Sequence, residues 1–491
     1  MAEKDVDTKE DIVPTKSQDG EVLEHVEPFD EKKLVRRIDI FMIPLLASLP
    51  FLNYLDKSSL SFASIMGIID DLSLTTNQYS WANSIFFFGY FFFTWFASWF
   101  FVRLPLGKYI SATLVVWAIC IGAMAGCQNF AGIMVVRFIL GAAEASILPG
   151  CSLLTGMWYK REEHPLRHGA WFFGTSIGVM CGGLLAYGIA HIQGGIGPWR
   201  WMFIIFAIAT VIWAAFLFWA LPDTPMNARF LSPEQRLQAV SRVRVNRQGL
   251  KDTTFKWYQV REALLDPKVI LPALICCTLS ITTGALNAFA PMILVGFGFS
   301  RLQAYLFNIA VGGVHGVFIL SASYICTRWA NVRCYTLLAV ISISLMGSLV
   351  VRLSTVLGAR LFGFLCFFAH LPGLSISLSL IASNTAGFTK KSVGTSMYTV
   401  MYCVGNIAGP FLFQAKDAPQ YIGGYNGIIG CFVAALIFAA LIPLAVIREN
   451  RHRDKVYGKP ESNMTQQETS GDLPVLTDQT DGENKVFRYV W

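Results

Sequence analysis

The residues with the clearest chemical potential are an arginine and a glutamate that stand alone in a long apolar run. Arg137 and Glu144 are the only charged residues between Phe130 and Leu153. Such a run predicts a membrane-spanning helix, and a spacing close to two turns places both side chains on one face. Each charge at bilayer depth costs roughly 2.5–3.5 kcal/mol, so this face should line a wet cavity or contact another helix. The two residues are either an anion-attracting cation beside a protonatable carboxylate, or a pair that simply locks helices together.

A second polar cluster closes the first predicted spanning helix, beginning at Asn53. Within the predicted membrane segments of the first half, Asp56 and Glu144 are the acids, so we take both as candidates for proton coupling. Arg137, Lys57 and Asn53 are candidate substrate contacts, since a guanidinium presents a planar fork that matches a carboxylate. Asp56 and Lys57 could equally form a gate pair that closes one mouth of a path.

The second half of the chain offers no acid for such a role. There is no Asp or Glu from Pro267 to Lys416. Asn287 and His370 lie in predicted helices of this half and complete the set of candidate substrate contacts. The alternative for both is a packing role, because such residues commonly hydrogen-bond between membrane helices.

The composition indicates an integral membrane protein. Hydrophobic residues make up 54% of the 491 residues and charged residues only 14%, whereas soluble domains carry about 25% charged residues. The net charge of +7 comes from loops, so a nucleic-acid partner is not indicated. The eleven cysteines have no metal-ligand spacing, and no nucleophile-base set or phosphate loop stands out. We therefore expect no enzyme activity, no cofactor and no metal.

The hydropathy pattern predicts an all-α fold with twelve transmembrane helices in two pseudo-symmetric bundles of six. The bundles occupy residues 39–221 and 269–447, and a basic central loop, 222–268, joins them. Residues 1–38 are expected to form a disordered cytoplasmic tail, and residues 448–491 a second cytoplasmic tail. The first six spans are expected at about 39–55, 79–101, 109–127, 130–153, 168–191 and 199–221. The second six are expected at about 269–292, 304–326, 334–352, 359–382, 393–415 and 425–447.

The basic residues support this topology. With both tails cytoplasmic, Lys and Arg concentrate on the inner side at every crossing. Arg103 and Lys108 bracket a turn after the second span, and Arg328 and Arg333 bracket an equal turn after the eighth, at the same offset. This trace of duplication predicts a substrate site between the two repeats, near the bilayer midplane.

Seven motifs, which span nearly the whole chain, carry a resemblance to a known family. They are NYLDKSSLSFA (53–63), RFILGAAEA (137–145), WYKREEHPLRHG (158–169), LPDTPMNARFLSPEQR (221–236), SNTAGFTKKS (383–392), GNIAGPFLF (405–413) and TDGENKVFRY (480–489). With the helix pattern, they resemble the major facilitator superfamily (MFS) and, more narrowly, the fungal anion:cation symporters of the allantoate permease type.

This resemblance implies proton-coupled uptake of a small organic anion by alternating access at the plasma membrane. Cargo of the family includes allantoate, ureidosuccinate, nicotinate and pantothenate. By position, Arg137 and Glu144 match the charged residues of the family's fourth helix, and Asp56 matches its first-helix acid. Lys57 stands where the family usually has arginine, and Phe206 stands where relatives commonly carry glutamate.

The expected partners are the organic anion, protons and the lipid bilayer, and the chain is expected to act as a monomer. Two other functions stay open. One is export of a drug or secondary metabolite, although the fifth span, through Gly178 and Gly183, lacks the Gly-Pro pair typical of drug antiporters. The other is a transporter-like nutrient sensor, whose usual mark is a large extra cytoplasmic domain.

Overall fold

A computed structural model describes residues 30–160, 163–192, 194–244, 256–329, 331–414, 421–458, 479–485 and 487–491. The helices of the first half are α1 (Glu31–Met66), α2 (Ile68–Asp71), α3 (Thr76–Arg103), α4 (Leu106–Ala125), α5 (Phe130–Glu144), α6 (Ile147–Trp158), α7 (His164–Ala190) and α8 (Pro198–Ala220). The central loop contributes α9 (Pro233–Arg244) and α10 (Trp257–Leu265). The helices of the second half are α11 (Pro267–Gly296), α12 (Arg301–Arg328), α13 (Arg333–Leu353), α14 (Leu357–Phe367), α15 (Leu371–Asn384), α16 (Phe388–Ala408) and α17 (Ile422–Tyr457).

Eleven helical stretches in the described part of the chain are long and apolar enough to cross a membrane. The predicted fourth span consists of α5 and α6 end to end, and the tenth consists of α14 and α15 joined by a short 3-10 turn. The predicted eleventh span, 393–415, corresponds to α16, which is long enough but is not among the eleven.

Polarity explains why α16 differs from the other spans. One of its faces carries Ser392, Thr395, Ser396 and Thr399, all exposed or half-buried. Polar side chains are costly in the hydrocarbon core, so a face that carries several of them favours the bundle interior or a water-filled cavity. This face of α16 is therefore suited to a wet path rather than to lipid.

Helix α1 begins earlier than its predicted start near residue 39. The Asp30 side chain accepts a hydrogen bond from the Lys33 backbone N–H at 3.2 Å and caps the first turn. Ile38 is fully buried. The predicted boundary of the disordered tail therefore falls inside the helix, because this cap and the buried apolar face start it at Glu31. Residues 1–29 lie outside the described residues.

The central loop is divided between the two halves. On α9, the Arg242 guanidinium pairs with Glu31 at 2.8 Å and with Glu163, both in the first half. On α10, the Gln259 side chain accepts a hydrogen bond from the Thr389 backbone N–H of the second half at 3.1 Å. Each half thus has its own helix of the loop docked against it.

Helices α3 and α5 cross with their backbones in contact. A Cβ on Gly89 would collide with the Phe138 carbonyl, and a Cβ on Gly141 would collide with the Phe86 carbonyl. This close approach fixes the position of α5, the helix that carries both charges of the fourth predicted span.

We call the end of the bundle at which both tails lie the tail end, and the opposite end the far end. Hydrogen bonds join the two halves at the far end. The Tyr79 and Ser61 hydroxyls donate to the Ala288 carbonyl at 2.8 and 3.0 Å. The Ser84 hydroxyl donates to the Ile407 carbonyl at 2.8 Å. These bonds tie α1 and α3 to α11 and α16, so the far end is closed.

Candidate functional site

The fold gathers four buried or nearly buried charges between α1 and α5. They are Asp56, Lys57, Arg137 and Glu144. Asp56 and Arg137 are each 2% exposed and Glu144 is 0% exposed. Two cations and two carboxylates make this cluster neutral in sum, and charges in a low-dielectric interior require such compensation.

Glu144 is held by two residues of α1. Its Oε1 atom lies 2.7 Å from Lys57 Nζ and also accepts a hydrogen bond from the Asn53 amide. Lys57 Nζ in turn donates to Asn53 Oδ1 at 3.0 Å. The two α1 residues are four positions apart and so share one face. Glu144 Oε2 has no hydrogen-bond partner among the described residues.

Arg137 keeps donors that the protein does not use. It lies near enough to Asp56 and Tyr79 to interact electrostatically, but no ion pair within 4 Å involves it in the described chain. Its Nε and Nη2 atoms have no hydrogen-bond partner there. Asp56 Oδ2 accepts from the Trp117 indole N–H at 2.9 Å, while Oδ1 has no partner among these residues. Arg137 is therefore the cation with free capacity for an anion.

Aromatic rings from both halves surround the lysine. Lys57 Nζ lies 5.5 Å from the Phe86 ring centre and 5.9 Å from that of Tyr90, both on α3. The Tyr402 ring of α16 lies 6.4 Å from the Tyr90 ring. The second half thus contributes an aromatic wall beside the charged cluster.

The two predicted contacts from the second half lie apart from this network. His370 is buried, with Nδ1 2.5 Å from the Phe367 carbonyl and Nε2 3.1 Å from the Thr283 hydroxyl. Asn287 is half-buried on α11, next to the Ala288 carbonyl that bonds to α1 and α3. In the described residues no hydrogen bond joins either side chain to the four charges. Both partners of His370 belong to the second half itself.

Comparison with known families decides what this helical scaffold is. The family model described as Major Facilitator Superfamily matches residues 46–410. The chain belongs to the Major Facilitator Superfamily. It is therefore a multi-pass membrane transporter of this superfamily and not an enzyme.

Fungal relatives extend the match over nearly the whole chain. The allantoate permease of Saccharomyces cerevisiae is 30% identical over 482 residues, which cover 94% of this chain and 87% of the permease. The thiamine pathway transporter of the same yeast is 30% identical over 464 residues, covering 94% and 86%. An uncharacterized transporter of Schizosaccharomyces pombe is 31% identical over 470 residues, covering 95% and 91%. The predicted resemblance to fungal transporters of the allantoate permease type is confirmed, and cargo of small organic solutes is supported.

A solved structure supports the same fold. A bacterial homologue of the human lysosomal transporter Spinster, in an inward-facing and unoccupied conformation, aligns with a TM-score of 0.62. The alignment covers 85% of this chain and 98% of that one at 14% identity. The predicted MFS fold is confirmed.

Three residues beside the charged cluster were not predicted from the sequence. Trp117 reaches Asp56 of α1 from α4, a helix that packs against α5 and α8, and nothing in the sequence around it signals that contact. Tyr90 and Tyr402 lie in helices rich in aromatic or polar residues, where no single side chain stands out. The unusual polarity of the eleventh predicted span was the one available signal for Tyr402.

Proposed function

We propose that the chain is a proton-coupled importer of a small organic anion such as allantoate or a related carboxylate. One observation carries this proposal: Arg137 is buried beside two carboxylates yet keeps two guanidinium nitrogens without a partner in the described residues. A guanidinium recognises a carboxylate with paired donors. The allantoate permease relative supports an anionic cargo of this kind.

Charge balance makes a proton the natural companion of the anion. Without cargo, the cluster holds two cations and two carboxylates. A monoanion that entered alone would leave it negative, and an uncompensated charge in a low-dielectric site is costly. One proton taken up with one monoanion restores neutrality. Electroneutral symport of one proton with one monoanion is what we propose for the transport cycle.

Glu144 is the proposed proton carrier, and Lys57 is the group its protonation releases. The sequence suggested Arg137 as the cation beside this protonatable carboxylate, but Glu144 is bonded to Lys57 and Asn53. Protonation would break the 2.7 Å ion pair. Lys57 could then join Arg137 in holding the anion, while Asp56 remains the second candidate for the proton.

The proposed orientation in the membrane follows from the charge at the two ends. Basic residues flank the tail end, namely Lys32, Lys33, Arg36, Arg37, Arg448, Arg451, Arg453 and Lys455. The positive-inside rule assigns that end to the cytoplasm. In this proposal the protein acts as a monomer in the plasma membrane, and the closed far end faces outward. Rocking of the halves would then present the site alternately to the two sides.

Uptake of labelled allantoate and a panel of other carboxylates tests the proposal in cells that lack their own permeases. We expect uptake to rise as external pH falls and to collapse with a protonophore. Glu144→Gln should lose the dependence on pH, because the amide cannot release a proton. Asp39→Asn is the control, since this carboxylate pairs with Arg167 at 3.0 Å near the tail end.

The alternatives give different results in the same assay. Uptake that ignores the proton gradient, or stays fully pH-dependent in Glu144→Gln, contradicts proton coupling through Glu144. Loss of preloaded anion against its gradient would indicate export. A wild type that carries no member of the panel in either direction would favour a sensor.

A further inference from the structure

The last residues of the chain fold back onto the tail end of the second half. We call residues 479–485 and 487–491 the C-terminal strap. The Asn450 side chain donates to the Tyr489 carbonyl at 2.9 Å and accepts from its N–H at 3.0 Å. Asn384 does the same with Val490, at 2.8 and 2.7 Å. Two amide side chains, on α17 and α15, thus pair with strap backbone as a neighbouring strand would.

A buried arginine of α17 gathers the strap around itself. Arg453 Nη1 donates to the carbonyls of Asp481, Asn484 and Phe487 at 2.9, 3.1 and 3.2 Å. Its Nη2 donates to the Tyr489 hydroxyl at 2.8 Å. One buried side chain thus binds four acceptors of the strap, a network that fixes the strap against α17.

The strap also supplies a carboxylate to a buried lysine of α16. Lys390 Nζ lies 2.6 Å from Asp481 Oδ1 and 2.8 Å from both Asp266 and Glu262, and its side chain is 1% exposed. Burial alone would raise the pKa of the Asp266 carboxyl, but the charges of Lys268 and Lys390 hold that pKa below its usual value. No Asp or Glu occurs from Pro267 to Lys416, so helices α11 to α16 contain no acidic partner for Lys390. The partners of Lys390 therefore come from α10, from the residue before α11 and from the strap.

The start of α16 depends on these external groups. Its own N-cap, Gly387, has a φ of 88° and provides no side-chain hydrogen bond. Gln259 Oε1 of α10 instead accepts from the Thr389 and Lys390 N–H groups, at 3.1 and 3.2 Å. Asp481 Oδ1 accepts from the Ala386 N–H at 3.3 Å. The first turn of a helix leaves N–H groups unsatisfied unless other groups bind them.

We propose that the strap is part of the transport machinery, with Asp481 a positioning residue that sets α16 through Lys390. Helix α16 carries the hydroxyl face and Tyr402 of the site. Lys390 lies in the first turn of α16, at its tail end, about 18 Å along the axis from Tyr402 at the 1.5 Å rise per residue. The strap therefore acts on the movement of this end of α16, and not on the contacts that bind cargo.

Hydrogen–deuterium exchange of the purified full-length protein tests the positioning directly and needs no cargo. Asp481→Asn, and a truncation that removes residues 479–491, should speed exchange in the first turns of α16 about tenfold or more, while the first turns of α3 stay unchanged. Asp454→Asn is the matched control. Its carboxylate also binds the strap, 2.8 Å from Arg488, but is well exposed. The proposal is overturned if exchange in α16 is unchanged in both Asp481→Asn and the truncated protein.

Transport kinetics in proteoliposomes, with labelled allantoate as the probe and flux counted per transporter, test the consequence. We expect Asp481→Asn to lower the maximal rate about fivefold or more and to keep KM within about twofold, because the binding contacts are untouched. Asp481→Glu should recover part of the rate, and a synthetic peptide of residues 479–491 should restore the truncated protein where a scrambled peptide does not. Unchanged flux in Asp481→Asn, or a rise in KM that accounts for the loss, overturns the proposal.

The two proposals fail in different ways. If the protein carries no anion, the wild type shows no flux while the exchange data still report on the strap. If the strap has no role in transport, the wild type carries its anion with proton dependence and Asp481→Asn matches it.

Discussion

At the scale of single residues, the site is defined by groups that are left half-satisfied. Arg137, Asp56 and Glu144 each keep a buried polar atom without a partner among the described residues. Buried polar groups in proteins are overwhelmingly hydrogen-bonded, so three exceptions in one place deserve a cause. Binding and release of a charged cargo provide that cause, because a cluster whose donors and acceptors were all paired would have no group left to bind the cargo.

Trp117 is predicted to hold Asp56 in place. Trp117→Phe removes the indole N–H that is bonded to that carboxylate at 2.9 Å, and should lower stability by about 1–3 kcal/mol, the cost of leaving a buried acceptor unpaired. A thermal melt of the purified protein measures this, and the pH dependence of uptake should shift as well. Trp213→Phe is the control, since its N–H binds the neutral Ser48 hydroxyl at 2.8 Å in a partly exposed position. Equal losses in the two variants would refute a special role for Trp117.

The sequence predicts the membership of the charged cluster better than its pairing. Two acids and two cations at membrane depth are visible in a hydropathy plot, because charges there are rare. The pairing of Glu144 with Lys57 rather than with Arg137 depends on how α1 and α5 are rotated against each other. Helix rotation is set by packing with several neighbours, which a single sequence does not encode in any local pattern.

At the scale of helices, the α3–α5 crossing is predicted to be intolerant of side chains. Gly141→Ala would press a methyl group into the Phe86 carbonyl, and overpacking of this kind costs about 1–3 kcal/mol. We expect a lower melting temperature and weaker uptake, since α5 carries Arg137. Gly156→Ala on α6 meets nothing within 4 Å and should behave as wild type. A Gly141→Ala protein with the melting temperature of Gly156→Ala would contradict the backbone contact.

The helix pattern was predictable and the ends of helices were not. Long apolar runs identify α8 and α11 without help from the fold. The start of α16 could not be located from local signals, because its first N–H groups are bound by Gln259 of α10, and Asp481 of the strap binds the Ala386 N–H just before its N-cap. Contacts between segments so far apart in sequence produce no local sequence pattern from which the start of a helix could be predicted.

At the scale of the whole molecule, the far end is predicted to open during transport. The Ser84 hydroxyl is bonded to the Ile407 carbonyl at 2.8 Å, and cysteines in place of these two residues should be joined by a short bifunctional methanethiosulfonate, whose disulfide links a reductant cleaves. Flux should fall to background when the link forms and recover when it is cleaved, because α3 and α16 can then separate. A pair at Ser48 and Trp213, within the first half, should be linked without loss of flux. Undiminished flux across a complete Ser84–Ile407 link would rule out opening at this end.

The division of the central loop has a consequence for how the protein can be assembled. Arg242 fastens α9 to Glu31 and Glu163, and Gln259 fastens α10 to α16. A gene interrupted between the codons for Arg244 and Lys256 would give two polypeptides, each with a complete bundle and its own docked helix. Helix α7 also packs along α12 of the second half, where the Ser176 hydroxyl lies 3.2 Å from His315 Nδ1. Co-produced in one membrane, the two fragments should find each other through this surface and through the α3–α16 contact, and form a split transporter in which either part can be exchanged or labelled separately.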